Sequence, residues 1–379
     1  MGKLLYAGFI NESHAETKRL ISLAAETKGR YLVGCLGRIK GAVTVLVPAP
    51  SADPNQATRE ESFQEENATF VYSPCGKRTN KILRYIDNLR RRRWLYRRIV
   101  RETDRSSIVI VYHSGSLITP VLKAKRKRGF KLIIEAEELY GLMPNPPLST
   151  KKELAFFDRA DGFIPITPKL NETINRNRKP FAVFYGAYDL PVLSGVKSKS
   201  TKNVVFAGTF ENGLNRGHLA LEISNYLPVG YALNLLSSSN PERAKSLIDL
   251  FEKKNPKHCP ILFQGTKIGD DFNRFLQSCD VAISPQNDKT PFSLYSFPSK
   301  VVVYLANGLP VVATKLDVIK QSPFSSYVEM VEQNDPKIMA KAIAEIAEES
   351  NPKDGRAAIK NEAAHFEGEL IKLLDEVLK

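Results

Sequence analysis

Two basic residues in the second half of the chain could hold an anionic group. Lys300 lies in the apolar stretch "SFPSKVVVYLANGLPVVAT". This stretch predicts a helix with Ser296 as N-cap and Pro298 in the first turn, which ends before Gly308, and then a buried strand. A lysine in the first turn opposes the positive end of the helix dipole. A bound phosphate would remove that conflict, whereas the alternative is a lysine that points into solvent.

Glycine turns follow predicted strands elsewhere in this half. The strand "NVVFAG" runs into a turn, and an arginine opens the helix after it. The strand "CPILFQG" ends in a similar turn. One such turn is weak evidence, but their recurrence at strand ends beside cations predicts a nucleotide site. The residues concerned are Gly208, Thr209, Arg216, Gln264, Gly265 and Thr266.

Candidate catalytic residues lie in the first half of the chain. His113 directly follows the predicted strand "SIVIVYH", and Glu137 and Glu138 end the strand "FKLIIEAEEL" together with Glu135. Carboxylates clustered at a strand end are costly unless solvated or paired. One could serve as a base or bind an acceptor hydroxyl, and His113 could contact the donor sugar or the acceptor. The alternatives are a structural histidine and solvated loop carboxylates.

Strands alternate with helices along most of the chain, which predicts an α/β protein with two parallel sheets. The stretch at 187–202, rich in Pro, Gly, Ser and Lys, is predicted as a linker. The predicted domains are 1–190 and 191–361, and the helix at 362–379 is expected to pack back on the first domain. Ligands of such a pair bind outside the carboxyl ends of the strands, in the cleft between the domains. Asn11 and His14, in the loop after the first strand, are candidate acceptor ligands.

Within the first domain, several elements follow from local pattern. Residues 14–29 are predicted as a helix closed by Gly29, and "YLVGCLG" as the next strand. Residues 50–68 are predicted as a loop, and "KPFAVFYG" as the last strand of the domain.

Composition limits the classes of protein to consider. The sequence has no run of about 18 apolar residues, no signal-peptide pattern and no myristoylation signal at Tyr6, so we expect neither a transmembrane helix nor a leader. The cysteines form no CxxC pair, which is typical of reduced thiols in a cytosolic protein. They are Cys35, Cys75, Cys259 and Cys279.

The formal charge of +14 lies in one half of the sequence. Residues 1–190 hold 33 Lys and Arg against 19 Asp and Glu, whereas residues 191–379 hold 22 of each. This asymmetry predicts an anionic partner for the first half, either a membrane surface or nucleic acid.

A basic helix predicted from Asn80 to Thr103 carries much of this charge. Projection at about 100° per residue puts one apolar face inward and one arginine face outward. Tryptophan within an arginine face suits a lipid headgroup region, and no nucleic-acid recognition motif is present. A merely solvated basic face is the other alternative. The predicted inward residues are Ile82, Ile86, Leu89, Tyr96 and Val100, and the predicted membrane residues are Arg90, Arg91, Trp94, Arg97, Arg98 and Arg101.

The arrangement of these motifs resembles the GT-B glycosyltransferases, and most closely the family 4 retaining enzymes of bacterial polysaccharide synthesis. The segments "VVFAGTFENGLNRG", "LQSCDVAISP" and "PSKVVVYLANGLPVVAT" are similar to that family's donor-domain motifs. In the first half, "KLIIEAEELY" and "FFDRADGFIPITPKL" resemble segments of its other domain.

The resemblance implies two Rossmann-like domains, of which the second binds a nucleoside diphosphate sugar. Arg216, Lys300 and Ser299 would hold the diphosphate with Gly208 and Thr209, and the Gln264–Thr266 turn and Val303 would border the base and ribose. The acceptor would be a glycan or a polyprenyl-linked sugar. The sequence has no Asp-x-Asp, so we expect metal-independent transfer without a cofactor. The expected location is the cytoplasm, peripherally on the inner face of the cell membrane, without a nucleic-acid partner.

Three positions depart from the family pattern. Two glutamates that many members carry align with Tyr295 and Val303, and a basic residue aligns with Phe210. Ribose and sugar contacts must therefore differ from the common pattern. A non-catalytic homologue that scaffolds another transferase is an alternative to an enzyme, as is a nucleic-acid-binding protein.

Overall fold

The computed structural model describes residues 2–11, 18–143, 149–194, 196–197, 200–208, 216–237, 240–332, 335–349 and 353–379. The chain divides into two compact units. Unit 1 comprises Met1–Leu142, Pro146–Ala187 and His365–Lys379, and unit 2 comprises Met143–Asn145 and Tyr188–Ala364. The boundaries after Ala187 and Ala364 lie three residues from the predicted ones, whereas the inclusion of Met143–Asn145 in unit 2 was not predicted.

The described part of unit 1 is a seven-stranded sheet with helices. Its strands are β1 (Leu4–Ala7), β2 (Val43–Val47), β3 (Glu61–Glu65), β4 (Ala68–Tyr72), β5 (Ile108–Tyr112), β6 (Lys131–Ala136) and β7 (Gly162–Pro165). Its helices are α1 (Leu23–Lys40), α2 (Lys81–Glu102), α3 (Gly115–Arg128), α4 (Thr150–Phe157) and α5 (Pro168–Ile174). The strand order is β3-β4-β2-β1-β5-β6-β7, and only β3 is antiparallel to its neighbour. The order reverses between β1 and β5, which makes their carboxyl ends the topological switch point.

Unit 2 forms a parallel six-stranded sheet in its described residues. Its strands are β8 (Lys202–Ala207), β9 (Tyr231–Leu236), β10 (Ile261–Gly265), β11 (Val281–Ser284), β12 (Val311–Thr314) and β13 (Val328–Val331). Its helices are α6 (Arg216–Ile223), α7 (Pro241–Lys254), α8 (Gly269–Gln277), α9 (Lys300–Ala306), α10 (Asp317–Lys320) and α11 (Pro336–Ala347), followed by α12 (Gly355–Leu378), which continues into unit 1. The order β10-β9-β8-β11-β12-β13 puts the switch point between β8 and β11.

The first helix of unit 1 is longer and later than the sequence predicts. Helix α1 continues through "YLVGCLG", which we predicted as a strand, and Gly41 at φ 75° ends it. Gly29, the predicted stop, lies inside the helix, where a Cβ would come within 3.0 Å of the Tyr6 hydroxyl. The glycine therefore permits close packing of the helix on β1 and does not terminate it.

Two other predictions for unit 1 are wrong. Residues 50–68, predicted as a loop, contain strand β3, which pairs with β4 through the turn at Glu66, whose φ is 46°. The alternating polar residues of β3 gave no apolar signal. The segment "KPFAVFYG" forms no strand beyond an isolated bridge between Phe163 and Phe181.

The predicted α/β fold with two largely parallel sheets is confirmed. Most strands could be predicted because they are apolar runs, and these runs are buried in the two sheets. Asparagine side chains cap the starts of two helices. The Asn80 side chain accepts a hydrogen bond from the Leu83 N–H at 2.9 Å at the start of α2, and Asn240 does the same for the Arg243 N–H at 3.1 Å in α7.

Candidate functional site

The candidate site of unit 2 lies at the carboxyl ends of its two switch-point strands. Gly208 directly follows β8, and its N–H donates to the Leu236 carbonyl at 3.0 Å. A Cβ at Gly208 would lie 2.5 Å from the Phe206 ring, so the turn requires glycine. Arg216 opens α6, the helix after β8, and Lys300 opens α9, which follows β11. Thr209 lies outside the described residues. Open parallel sheets bind ligands at such a crevice.

A hydrogen bond fixes α9 against the end of β8. The hydroxyl of Tyr304 accepts from the Ala207 N–H at 2.8 Å, one residue before Gly208. Lys300 lies four residues before Tyr304 and therefore on the same face of the helix. The fold thus brings the lysine-bearing helix to the strand end that the glycine turn follows.

Helix α9 begins later than predicted, at Lys300, with Ser299 and not Ser296 at the N-cap position. The side chain of Ser299 makes no capping hydrogen bond, and its carbonyl accepts from the Val303 N–H at 3.4 Å. The Val301 N–H donates to Pro298 at 2.9 Å. These N–H groups are already bonded, and the helix has only seven residues. The start of the helix would therefore attract an anion less strongly than the Lys300 ammonium does. Gly308, at φ 74°, follows the helix as predicted.

Lys300 is a cation without a matching anion in the described chain. Its Nζ lies 5.0 Å from the centre of the Phe272 ring, and none of the described carboxylates forms an ion pair with it. The residue is half-buried, and desolvation lowers the pKa of its ammonium below the ordinary value. The predicted alternative of a lysine pointing into solvent is therefore wrong. A bound anion would pair with the Lys300 ammonium and so stabilise the folded protein.

Arg216 is the second cation at this strand edge. Its guanidinium carbon lies 5.8 Å from the centre of the Phe292 ring, and the residue is half-buried. Phe292 belongs to a 3₁₀ turn whose C-cap is Tyr295. Val303 is half-buried in α9, and its carbonyl accepts from the Asn307 side-chain amide at 2.9 Å. Phe210 lies outside the described residues.

The turn after β10 is held by side chains that were predicted to border the base. The Gln264 amide donates to Asn234 Oδ1 at 2.9 Å, and the Asn234 amide donates to Asn203 at 3.1 Å. The Thr266 hydroxyl donates to the Ser237 carbonyl at 2.9 Å, and Gly265 takes φ 66°. Gln264 and Thr266 thus shape the strand ends of the sheet, a structural role that the prediction of base contacts did not include.

The switch point of unit 1 carries His113 directly after β5, but the imidazole is buried rather than open. Its ring lies 4.8 Å from the Tyr140 ring and 4.7 Å from the Phe157 ring, and Nε2 is 3.4 Å from Glu153 Oε1. Burial lowers the pKa of His113 to about 4, which keeps the imidazole neutral near pH 7. The Glu153 carboxylate accepts from the Tyr140 N–H at 2.7 Å. The predicted strand-end position is right, and the buried ring agrees with the alternative of a structural histidine rather than with a contact to donor or acceptor.

A buried carboxyl lies in β6, among the three glutamates that the sequence places at the end of this strand. Glu135 is fully buried in β6, and its Oε2 accepts from the Tyr6 hydroxyl at 2.7 Å. Its Oε1 has no hydrogen-bond partner. Burial, reinforced by the neighbouring Glu137 charge, raises the pKa of Glu135 to about 7. The alternation of side chains along β6 turns Glu135 and Glu137 to the same face, and this pattern could have indicated that Glu135 is buried.

The other predicted residues of unit 1 are engaged in local bonds. Glu137 forms an ion pair with Lys28 at 2.6 Å, whereas Glu138 is half-buried at the same strand end. The Asn11 amide accepts from the Arg19 N–H at 3.0 Å and donates to the Arg19 carbonyl at 3.3 Å. These bonds join Asn11 to Arg19, and the acceptor contact of Asn11 remains a prediction. His14 lies outside the described residues.

Helix α2 presents a different face to solvent from the one predicted. Arg91 pairs with Asp87 at 2.8 Å and donates to Pro48 at 2.7 Å, and Trp94 and Arg98 both bond the Glu60 carboxylate. These three residues contact unit 1 itself. In contrast, the predicted inward residues Ile82, Ile86 and Leu89 are exposed. Arg90, Arg97 and Arg101 remain exposed, as predicted, whereas Tyr96 and Val100 are half-buried.

The described ranges contain neither a metal-binding cluster nor a membrane-spanning helix. No group of three or more His, Cys, Asp and Glu side chains in them could hold a metal ion. None of their helices has the length and apolar composition that a bilayer span requires. The four cysteines are buried free thiols.

Solved structures with the same architecture cover nearly the whole chain. A structure described as trehalose-6-phosphate from Escherichia coli bound with UDP-2-fluoro glucose aligns with TM-score 0.70 and 10% identity. The alignment covers 99% of each chain. Alpha,alpha-trehalose 6-phosphate synthase from Burkholderia multivorans aligns with TM-score 0.66 and 11% identity, over 99% of this chain and 94% of that one. The N-terminal domain of Candida albicans trehalose-6-phosphate phosphatase gives 0.63 and 12%, over 100% and 97%. No curated protein matches the sequence.

Residues 201–349, which cover most of unit 2, match the family model described as Glycosyl transferases group 1. Unit 2 therefore carries a Glycosyl transferases group 1 match, and the chain as a whole has the two-sheet GT-B fold of the trehalose-phosphate synthase structures. The finer assignment to family 4 remains a prediction.

Proposed function

We propose that the protein transfers a sugar from a UDP- or GDP-linked donor to a glycan or lipid-linked acceptor in bacterial polysaccharide or glycoconjugate synthesis. Unit 2 binds the donor, and unit 1 binds the acceptor. The observation that carries the proposal is the half-buried Lys300 ammonium, which lacks a carboxylate partner in the described chain and lies on the helix tied to the β8 end. The name of one fold neighbour includes UDP-2-fluoro glucose, which makes uridine nucleotides the first donors to test.

The chemistry asks the protein to stabilise a leaving diphosphate. As the bond between the anomeric carbon and the phosphate oxygen breaks, negative charge grows on the nucleoside diphosphate. Lys300 and Arg216 supply positive charge there, and a cation that is already desolvated requires little reorganisation. We propose that this replaces a metal ion, and that the acceptor hydroxyl attacks with retention at the anomeric carbon.

The roles proposed in unit 1 follow its buried polar groups. His113 is buried and neutral near pH 7, so its role is to position the segment of Tyr140 and Phe157 that packs on its ring. Glu137 and Glu138 are candidates for the proton acceptor. The half-buried state of both glutamates leaves part of each residue open to a ligand. The trehalose substrates in the names of the fold neighbours do not extend to this chain at 10–12% identity.

Titration calorimetry with UDP and with GDP tests the donor site. We expect one nucleotide to bind and Lys300→Ala and Arg216→Ala each to weaken it about tenfold or more, since charge-assisted contacts to phosphate are lost. Lys253→Ala, an exposed lysine of α7 in the same unit, is the matched control and should bind as wild type. If neither nucleotide binds at millimolar concentration, the diphosphate assignment is wrong.

A non-catalytic subunit is the second candidate, because Tyr295 and Val303 occupy positions where glutamates are common in the resembled family. The two candidates differ in turnover. An active enzyme releases nucleoside diphosphate from its donor when given lipid or glycan extracts, whereas a scaffold binds a partner transferase and releases none.

A further inference from the structure

One face of α2 exposes large apolar side chains to solvent. Ile82 is 71% exposed, Tyr85 65%, Ile86 37% and Leu89 45%. At about 100° per residue they fall within an arc of about 100°, so they form one continuous stripe over two turns of helix. Single exposed apolar residues are common, but a contiguous stripe marks a surface that contacts something apolar.

The same face of the helix continues as a row of cations. Arg93, Arg97 and Arg90 are exposed and lie next to the apolar stripe in the helical projection. In the described residues no carboxylate pairs with any of these three arginines. The two acidic residues of α2 are engaged elsewhere: Asp87 is buried against Arg91, and Glu102 bonds Lys3, Arg98 and Arg101.

The neighbouring helix adds to the positive charge. Helix α3 packs beside α2, and its exposed cations are Lys123, Arg126 and Lys127. The surplus of 33 Lys and Arg over 19 Asp and Glu in residues 1–190 has the same sign. An apolar stripe flanked by unpaired cations fits a surface that is anionic on the outside and apolar just beneath.

We propose that α2 lies flat on an anionic phospholipid bilayer, with Ile82, Ile86 and Leu89 inserted between the headgroups and the arginines on the lipid phosphates. Nucleic acid would use the cations and would leave the apolar stripe in water. A second copy of the chain would bring like-charged arginines together across a two-fold axis. The proposal does not depend on the transferase activity, since a non-catalytic protein with this helix would bind as well.

Vesicle flotation tests the surface with the full-length protein. The probes are vesicles of phosphatidylcholine alone and of phosphatidylcholine mixed with phosphatidylglycerol, each at low and high salt. We expect binding to the anionic vesicles only, with a loss of about tenfold or more for Ile82→Asn/Leu89→Asn and for Arg93→Gln/Arg97→Gln. The matched controls are Val229→Asn/Leu250→Asn and Lys253→Gln/Lys254→Gln, at exposed positions of unit 2, which should bind as wild type.

Site-specific labelling reports insertion directly. The four native cysteines are buried, so a cysteine introduced as Ile82→Cys can be labelled with an environment-sensitive fluorophore in the folded protein. Emission should shift to the blue on anionic vesicles, and the same label at Leu250→Cys should not shift. Equal binding of Ile82→Asn/Leu89→Asn and wild type would overturn insertion. Absence of vesicle binding, or a stronger affinity for RNA or DNA than for anionic vesicles, would overturn the proposal as a whole.

Discussion

The Tyr304 hydroxyl accepts a hydrogen bond from the Ala207 N–H at 2.8 Å, which joins α9 to the last residue of β8. Both residues are buried. The bond fixes the helix that carries Lys300 relative to the glycine turn at the strand end. The Tyr304 hydroxyl therefore couples the packing of α9 on β8 to the position of Lys300 in the proposed donor site.

Tyr304→Phe should destabilise unit 2 and weaken nucleotide binding together. The substitution keeps the ring but leaves the buried Ala207 N–H without an acceptor, which costs about 1–3 kcal/mol. Chemical denaturation measures that cost, and calorimetry with UDP or GDP measures the affinity. Tyr226→Phe, at a residue that is 51% exposed, should change neither quantity. Unchanged affinity in a destabilised Tyr304→Phe would show that the bond does not position Lys300.

Lys300→Met should raise stability while it lowers donor affinity. Desolvation lowers the pKa of the Lys300 ammonium, so the unfolded chain binds its proton more tightly than the folded protein does. Wild-type stability therefore increases as pH rises through the lowered folded-state pKa toward the ordinary value, and the methionine variant lacks this slope. At pH 7 without ligand we expect the variant to gain on the order of 1 kcal/mol.

With nucleotide present, we expect wild type rather than Lys300→Met to be the more stable protein. UDP or GDP should raise the melting temperature of wild type and have little effect on Lys300→Met, because ligand binding stabilises only a native state that binds it. A variant that is less stable than wild type without ligand would contradict the description of Lys300 as a desolvated, unpaired cation.

The local sequence pattern predicted those parts of the proposed donor site that lie close together in the chain. Lys300 was predicted from its place in one helix, and Gly208 and Arg216 from a strand, a turn and the next helix. The Tyr304–Ala207 bond could not be predicted in this way, because it joins residues 97 positions apart and depends on the strand order. The start of α9 was misplaced because Ser296, Pro298 and Ser299 all suit a helix start.

The faces of α2 were misassigned because its orientation also depends on contacts between residues that are distant in the sequence. Apolar periodicity gives the existence of α2 and the period of its stripe, but it does not say which side faces the sheet. Burial of Leu95 and Ile99, together with the bond of Arg91 to the Pro48 carbonyl and the ion pair of Arg98 with Glu60, decides that orientation. The buried pair Tyr6 and Glu135 was likewise hidden, because they meet across β5 only when β1 and β6 flank that strand.

Glu135→Gln should change how the stability of the protein depends on pH. The pKa of Glu135 is about 7 in the folded protein against an ordinary value of 4.5, so the folded state holds a proton that the unfolded state has lost. Stability therefore falls as pH rises from about 4.5 to about 7 and stays lower above that range. The shift corresponds to at most about 3.5 kcal/mol.

Glutamine removes this titration and keeps the hydrogen bond from Tyr6. We expect Glu135→Gln to be more stable than wild type at pH 8, with the difference closing toward pH 5, as measured by urea denaturation across that range. Glu376→Gln, an exposed carboxyl on α12, is the control and should follow wild type at every pH. A constant difference between Glu135→Gln and wild type would show that Glu135 does not titrate in this range.

Two glycines of α1 should respond to the same substitution with opposite signs. At Gly34 the nearest atom to an added Cβ is Arg38 Nη1 at 3.7 Å, so Gly34→Ala gains helix propensity at no steric cost, about 0.5–1 kcal/mol. At Gly29 the added Cβ meets the Tyr6 hydroxyl at 3.0 Å and the Ile10 side chain at 3.1 Å. Tyr6 is fully buried and bonded to Glu135, so it cannot move aside, and Gly29→Ala should cost about 1–3 kcal/mol.

Thermal and chemical denaturation of the two alanine variants compare these signs within one helix. The gain at Gly34 is the internal control for propensity, so the difference between the variants isolates the contact of Gly29 with β1. Tyr6→Phe removes the crowded hydroxyl together with its bond to Glu135, so the test is the cost of Gly29→Ala measured in the Tyr6→Phe background, which should be smaller than its cost in wild type. Equal stabilisation at Gly29 and Gly34 would mean that α1 can shift on the sheet, and the close approach to Tyr6 would then not require glycine.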